Sequence, residues 1–238
     1  MADQRKWKYW FDLISTSVIS VAAIVLVSTV AIQNWPRAEP AVEVPTIPAR
    51  PISIVGAAAK GNAAAKVVLI EYADFQCPTC GKFAREVLPA IDSKYVDSGK
   101  VLRVYRHLPL TGIHKKAFRA AAATVCAGQQ GRFWQMHDAL YQEQGKFDPA
   151  DLESTARKLG VGVPAFTACL ESDAAGAQVR ADAGTAVELG LDATPTLFVG
   201  HLQPEGTVKV VKHIRGGMSV ADLSRLLDEL LAQAASGL

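Results

Sequence analysis

Val67-Val68-Leu69-Ile70-Glu71-Tyr72-Ala73-Asp74-Phe75-Gln76-Cys77-Pro78-Thr79-Cys80 carries the reading of the fold. Its first four residues form a continuous apolar, mostly β-branched run, the pattern of a strand buried on both faces of an α/β sheet. After the Asp74-Phe75-Gln76 connection, Phe83, Val87, Leu88, Ile91 and Tyr95 recur at helical spacing, with Gly81 and Pro89 as points of irregularity. A second strand is predicted from Val101 to His107. Strand, helix and strand in that order predict a right-handed βαβ unit, the nucleus of a parallel sheet.

The Cys77-Pro78-Thr79-Cys80 segment sits at the first strand-to-helix junction of that unit, so both thiols fall on one side of the first helical turn, close enough to form a disulfide. Unpaired N–H groups and the positive end of the helix dipole favour a thiolate at Cys77, the more N-terminal sulfur, lowering its pKa from about 8.5. Each unit of lowering favours the thiolate by ~1.4 kcal/mol. Disulfide exchange proceeds by thiolate attack through a mixed disulfide, which makes Cys77 the attacking sulfur and Cys80 the resolving one. Pro78 suits the first turn of a helix, and Thr79 completes the motif. The same spacing also serves zinc sites and inert disulfides, but its place after a buried strand and at a helix start favours redox chemistry.

Outward from this unit, residues 113–189 read as almost wholly helical, with Asp148-Pro149 and Gly162-Val163-Pro164 as starts and Gly160 and Gly190 as stops. They predict an inserted helical subdomain. Thr196 to Val199 and Thr207 to Ile214 resume strand character, and Ser219 is placed to cap a last amphipathic helix through Leu231. Cys126 and Cys169 fall in the inserted helices without metal-ligand spacing, and a structural disulfide is the reading adopted, with two free thiols or a second redox relay as alternatives. A zinc site built from all four cysteines is a poor fit, and no metal is expected. Glu71 lies on an apolar strand, an expensive place for an ionised carboxylate without a partner. It is either a proton relay to Cys80 or a strand-end acid in water. His107 and His114 flank the Leu108-Pro109-Leu110-Thr111-Gly112 loop and read as structural or solvated, the alternative being a positive charge brought near a thiolate.

At the N-terminus, Leu13 to Ile32 carry no charge, and such a helix rises about 30 Å, the thickness of a hydrocarbon core. Trp7, Tyr9, Trp10 and Trp35 flank it as interfacial anchors, while Arg5, Lys6 and Lys8 mark the cytoplasmic end. Residues 1–12 are therefore expected in the cytoplasm, 13–32 as a transmembrane anchor and 33–51 as a Pro-rich, extended linker, with the domain at 52–238 on the extracytoplasmic, periplasmic side of the cell membrane. The alternative is a secreted protein released by cleavage of a signal peptide, although the apolar stretch exceeds the usual ~7 to 15 residue core and a clear A-x-A site is missing. A formal net charge of +2 over 238 residues excludes a strong field for nucleic acid. No phosphate loop, Ser-His-Asp arrangement or dinucleotide fingerprint occurs.

Three segments, Glu71-Tyr-Ala-Asp-Phe-Gln-Cys-Pro-Thr-Cys80, Gly131-Arg-Phe-Trp-Gln-Met-His-Asp-Ala-Leu140 and Ala193-Thr-Pro-Thr-Leu-Phe-Val199, resemble landmarks of DsbA-like proteins. The resemblance runs from about Ile52 to the C-terminus. It implies an α/β thioredoxin fold with a helical insertion, a redox-active Cys77–Cys80 pair and a cis peptide between Thr194 and Pro195. Those two residues would lie beside Cys77 and pair with an extended substrate segment, a form of strand addition. The family's acid at the matching position favours the relay reading of Glu71. The resemblance also implies exported proteins with cysteine thiols as substrates and a membrane quinone-linked thiol oxidase, DsbB-like or vitamin K epoxide reductase-like, as recycling partner.

The expected activity is therefore disulfide formation in exported proteins, with no bound cofactor. A reductase or isomerase of the same fold, and a redox-silent chaperone or metal carrier, are the rivals. Residues 38–51 offer no amphipathic dimerisation element, so a monomer is expected.

Overall fold

The computed structural model describes residue 7 and residues 46–236. The predicted anchor at 13–32 and the linker up to residue 45 lie outside the described residues, among which no helix is long and apolar enough to cross a membrane.

From Pro45 onward the chain forms one unit built on a six-stranded sheet. Its strands are β1 (Ile52–Ser53), β2 (Ala58–Lys60), β3 (Val67–Ala73), β4 (Val101–His107), β5 (Thr196–Gln203) and β6 (Thr207–Arg215), in the order β1-β6-β5-β3-β4-β2. Only β3 and β4 run parallel, in the register Val67 to Val101 through Ala73 to His107; every other pairing is antiparallel. All seven residues of β3 are buried, because helices cover both faces of the sheet and leave it no solvated side. The strand runs past Ile70 to Ala73, so Glu71 lies inside it.

The first helical region breaks differently from the pattern Gly81 and Pro89 suggest. Helix α1 (Pro78–Glu86) contains Gly81 without interruption and stops at Val87; α2 (Leu88–Ile91) begins with Pro89 in its first turn and continues into a π-helical turn, Asp92–Val96. Pro89 has no N–H to donate, so the helix is broken in the turn before it. The extra residue of the π turn brings Tyr95 onto the apolar face, where it packs with Val67, Leu69, Phe83, Leu88 and Ile91.

Between β4 and β5 stand α3 (Ala117–Gly128), α4 (Phe133–Gln142), α5 (Pro149–Lys158), α6 (Val163–Glu171) and α7 (Asp173–Glu188), the helical insertion. Its starts and stops follow local chemistry: Pro149 occupies the first turn of α5, and Gly160 and Gly190 take φ of +71° and +69° after α5 and α7, a left-handed conformation that suits glycine. A disulfide joins Cys126 of α3 to Cys169 of α6, with Cα atoms 5.7 Å apart. The last helix, α8 (Val220–Ser236), outruns the predicted end at Leu231; the Ser219 hydroxyl accepts the Asp222 N–H at 3.1 Å at its start. Leu223, Leu227 and Leu230 of α8 close over Leu69 and Val199.

Strands β1 and β2 were not evident in the sequence. They are short edge strands, and the Arg106 guanidinium holds the chain between them by donating to the Ser53 and Val55 carbonyls at 2.9 and 3.2 Å while bonding Asp182 at 2.7 Å. Short edges of this kind leave little unpaired backbone for another chain to join.

Candidate active site

The site begins where β3 ends. Asp74 is buried and serves as the template of the connection: its Oδ1 accepts the Gln76 N–H at 2.7 Å, and its Oδ2 accepts the Leu110 N–H at 2.8 Å and lies 2.8 Å from His114 Nδ1. The Cys77 N–H donates to the Asp74 carbonyl at 3.1 Å, and Cys77 itself, at φ −68° and ψ 121°, caps α1 with Pro78 in the first turn. Phe75 anchors the loop, its ring 4.7 Å from that of Tyr141 and 5.6 Å from that of Tyr105. His114 therefore serves the loop through Asp74, and His107, buried and held neutral with its pKa lowered to about 4, brings no charge to the sulfurs.

Cys77 and Cys80 are both free thiols, and only Cys77 reaches the surface, at 7% exposure against 0% for Cys80. The two sulfurs ionise in opposite directions. The Cys77 pKa is lowered to about 5, chiefly because the Cys80 thiol donates a hydrogen bond to it; burial opposes this, and the Thr194 hydroxyl and the N–H groups of Cys80 and Thr79 add to it. Burial pushes the Cys80 thiol far upward, and its bond to Cys77 pushes it further. One thiol is therefore poised as a nucleophile and leaving group at neutral pH while its neighbour keeps its proton.

Across from the pair, the peptide between Thr194 and Pro195 is cis, and the Cys77 Sγ lies 3.3 Å from the Thr194 carbonyl oxygen, to which it donates when protonated. The buried Thr194 hydroxyl, which favours the thiolate form of both sulfurs, makes no hydrogen bond of ordinary geometry among the described residues. β5 leaves this point at Thr196, so Thr194 and Pro195 stand at the sheet end facing Cys77.

Glu71 points into the interior, wholly buried. Its Oε2 accepts from Arg103 Nη2 at 3.3 Å, while Oε1 has no partner among the described residues. Burial raises the Glu71 pKa, against the pull of Arg103. Arg103 is the hub: Nη1 donates to Asp92 Oδ2 at 2.9 Å, and Nη2 lies 3.4 Å from Nε2 of His137, a neutral ring whose pKa burial lowers to about 4. Trp134 lies 4.7 Å from the guanidinium. Lys60, Asp92, Arg103, His137 and Asp138 line a cleft of about 260 Å³ that opens this buried network toward solvent. Among the described residues, no group of three or more His, Cys, Asp or Glu side chains is placed to hold a metal ion.

Sequence reasoning brought Cys77, Cys80, Thr194 and Pro195 together but missed Arg103 and Asp74. Arg103 left a signal, since opposite charges inside two adjacent apolar strands must meet or be left unpaired at high cost. Asp74 left none, because its partners Leu110 and His114 are fixed by the fold of a distant loop.

Comparison with known proteins agrees with this geometry. A thioredoxin family model matches residues 54–216. Among curated proteins, the chain is 35% identical over 170 residues to Na(+)/H(+) antiporter NhaA 3 of Salinispora tropica, covering 71% of this chain and 26% of that protein. It is 34% identical over 174 residues to NhaA 1 of Mycolicibacterium gilvum, covering 71% and 28%. The chain thus spans about a quarter of the length of the curated relatives it matches. Among solved structures, α-DsbA1 of Wolbachia pipientis superposes with a TM-score of 0.69 at 24% identity, over 78% of this chain and 96% of that one. Oxidised BdbD of Bacillus subtilis gives 0.66 at 23% identity, over 79% and 98%. A thioredoxin-like oxidoreductase of Silicibacter pomeroyi gives 0.58 at 25%, over 73% and 91%. With the family model spanning every strand from β2 to β6, the chain belongs to the thioredoxin family.

Proposed function

We propose that the chain is a protein thiol-disulfide oxidoreductase that forms disulfides in exported proteins. The observation that carries this reading is the geometry of two free thiols in one helical turn, Cys77 capping α1 at the surface against the cis Thr194–Pro195 peptide and Cys80 buried behind it, a setting that lowers the Cys77 pKa and raises that of Cys80. In the oxidised protein, a substrate thiolate attacks Cys77 Sγ; the Cys77–Cys80 bond breaks, Cys80 leaves with the electron pair and takes up a proton, and a mixed disulfide remains. A second substrate thiolate attacks the substrate sulfur of that bond and expels Cys77 as a thiolate. The substrate leaves oxidised, and the protein keeps two electrons. Cys77 is a good leaving group because its thiolate is stabilised, so the reaction runs toward reduced protein and oxidised substrate.

Thr194 and Pro195 hold the substrate backbone alongside Cys77, and Glu71 exchanges the proton of Cys80. The raised pKa of Glu71 and its unpartnered Oε1 support that role. Reoxidation delivers the two electrons to a membrane quinone-linked thiol oxidase of the DsbB or vitamin K epoxide reductase kind. The uncharged stretch 13–32 behind Arg5, Lys6 and Lys8 supports a single-pass anchor that holds the domain on the periplasmic side near such a partner.

The test is the reduction potential of the Cys77–Cys80 pair in the full-length chain, equilibrated with glutathione buffers and read by alkylation. A value above about −180 mV supports the oxidase, whereas one near about −270 mV assigns the protein to the reductase side.

A further inference from the structure

The carbonyls that frame the catalytic turn are held by a side chain from outside it. Gln144 follows α4, on the connection to α5. Its Nε2 donates to the Phe75 carbonyl at 2.8 Å and to the Cys77 carbonyl at 2.9 Å, and its Oε1 accepts from Arg85 Nη1 at 3.2 Å. Arg85, in the last turn of α1, is itself held by the Tyr141 carbonyl at 2.6 Å. The Cys77 carbonyl also accepts the Gly81 N–H at 3.1 Å, the first helical bond of α1. One amide thus bridges the residue before the loop bend, the nucleophile and the far end of α1.

The residue after Cys80 makes room for this bridge. A Cβ at Gly81 would overlap Gln144 Oε1 and fall 2.8 Å from Arg85 Nη1, so any larger residue displaces the Gln144 amide. The φ of Gly81 is ordinary helical backbone; space for the Gln144 amide, not conformation, is what glycine supplies there.

We propose that Gln144 is a positioning residue: by holding the Phe75 and Cys77 carbonyls, it keeps the turn in the shape in which the N–H groups of Thr79 and Cys80 face the Cys77 sulfur. This rests on the reading of Cys77 as the nucleophile. Two bonds to one amide pin both ends of the Phe75-Gln76-Cys77 segment, which a single bond would leave free to pivot. Arg85 polarises the amide from its oxygen side and strengthens both donations. The helical insertion, which touches neither sulfur through this residue, thereby controls thiolate chemistry on the sheet.

The experiment titrates the Cys77 thiolate in the reduced full-length chain by absorbance at 240 nm and by alkylation rate against pH, with thermal unfolding recorded for each variant. Gln144→Ala removes both donors and is expected to raise the Cys77 pKa by about one unit, a roughly threefold fall in thiolate fraction at pH 5.5. Gln144→Glu keeps the size and the bond to Arg85 but turns an acceptor toward two carbonyls, and the rise is larger. Gly81→Ala evicts Gln144 and reproduces the Gln144→Ala shift, and the double variant adds little to either, since both changes remove the same interaction. Gln142→Ala, on the exposed end of α4, titrates as the parent does. Variants that lose thermal stability but keep the parent's Cys77 pKa overturn the proposal and leave Gln144 a structural residue. A parent Cys77 that titrates near 8.5 overturns the nucleophile reading and this proposal with it; a depressed parent with unshifted variants overturns the role of Gln144 alone.

Discussion

Stabilisation of a thiolate in the folded protein must appear as folding stability that depends on pH. Cys77 is lowered to about 5 in the fold, while in the unfolded chain it titrates near its ordinary value of about 8.5. A depressed folded pKa contributes stability above that pKa, and the contribution disappears as pH falls through it. At pH 7 the difference is two pH units of selective deprotonation, about 2.7 kcal/mol; at pH 4.5 it is only about 0.2 kcal/mol. Cys77→Ser removes the ionisable group with little change in size. The reduced parent should therefore be more stable than the reduced Cys77→Ser variant by about 2.5 kcal/mol more at pH 7 than at pH 4.5, and somewhat less where water screens the sulfur. The assay is guanidinium unfolding of both proteins at the two pH values, followed by fluorescence. The active-site pair is reduced beforehand under mild conditions, and thiol counting verifies that Cys126–Cys169 stays joined. A parent-to-variant difference that is the same at both pH values refutes the claim that the fold favours the Cys77 thiolate, and with it the reason for expecting an oxidising disulfide.

Arg103→Met strips the shared cation from Glu71 and Asp92, and a loss of about 3–5 kcal/mol at pH 7 is expected in denaturant unfolding, shrinking as pH falls because Glu71, already raised by burial, takes up a proton. A variant as stable as the parent at pH 7 would show that the network is hydrated and weak. Asp74→Ala removes the acceptor of the part-buried N–H groups of Gln76 and Leu110 and should cost about 1–3 kcal/mol, with slower reaction of the active-site disulfide with a thiol peptide. Replacing Cys126 and Cys169 by Ser releases a loop of 43 residues and should cost about 4 kcal/mol by unfolded-state entropy, while the alkylation rate of Cys77 at pH 6 stays within twofold of the parent's. Glu71→Gln should slow the step in which Cys80 gains or loses its proton, read by stopped-flow fluorescence, and leave the 240 nm titration of Cys77 near the parent's; an unchanged rate removes Glu71 from the mechanism.

The residue pattern alone determined much of this architecture. The runs at Val67 and Val101 read as strands by their shortness and β-branched content, the spacing after Cys80 has the period of a helix, and the order strand, helix, strand leaves few topologies. The expectation of a thiolate at Cys77 rested on local signals too: the helix dipole and free N–H groups act over a few residues, so the place of Cys77 and Cys80 at a helix start is readable in local sequence. Pro195 was legible only through resemblance, since nothing local to Thr194 and Pro195 says that Cys77 lies opposite. The edge strands at Ile52 and Ala58 were not legible, because two or three residues hold too little periodicity to read, and their partners on β6 and β4 exist only once the sheet is formed. What tertiary structure alone decided is the setting of the sulfurs: Asp74 meeting Leu110 and His114, Arg103 joining Glu71 to Asp92, and Gln144 reaching back across 67 residues to the Cys77 carbonyl. Hydrogen bonds and buried charges act at a few ångströms with no regard for separation along the chain, so no window of sequence contains them. The spacing of the two cysteines put both thiols on one helical turn and marked Cys77 as the one favoured to ionise; the packing buried Cys80 and set the partners around the pair.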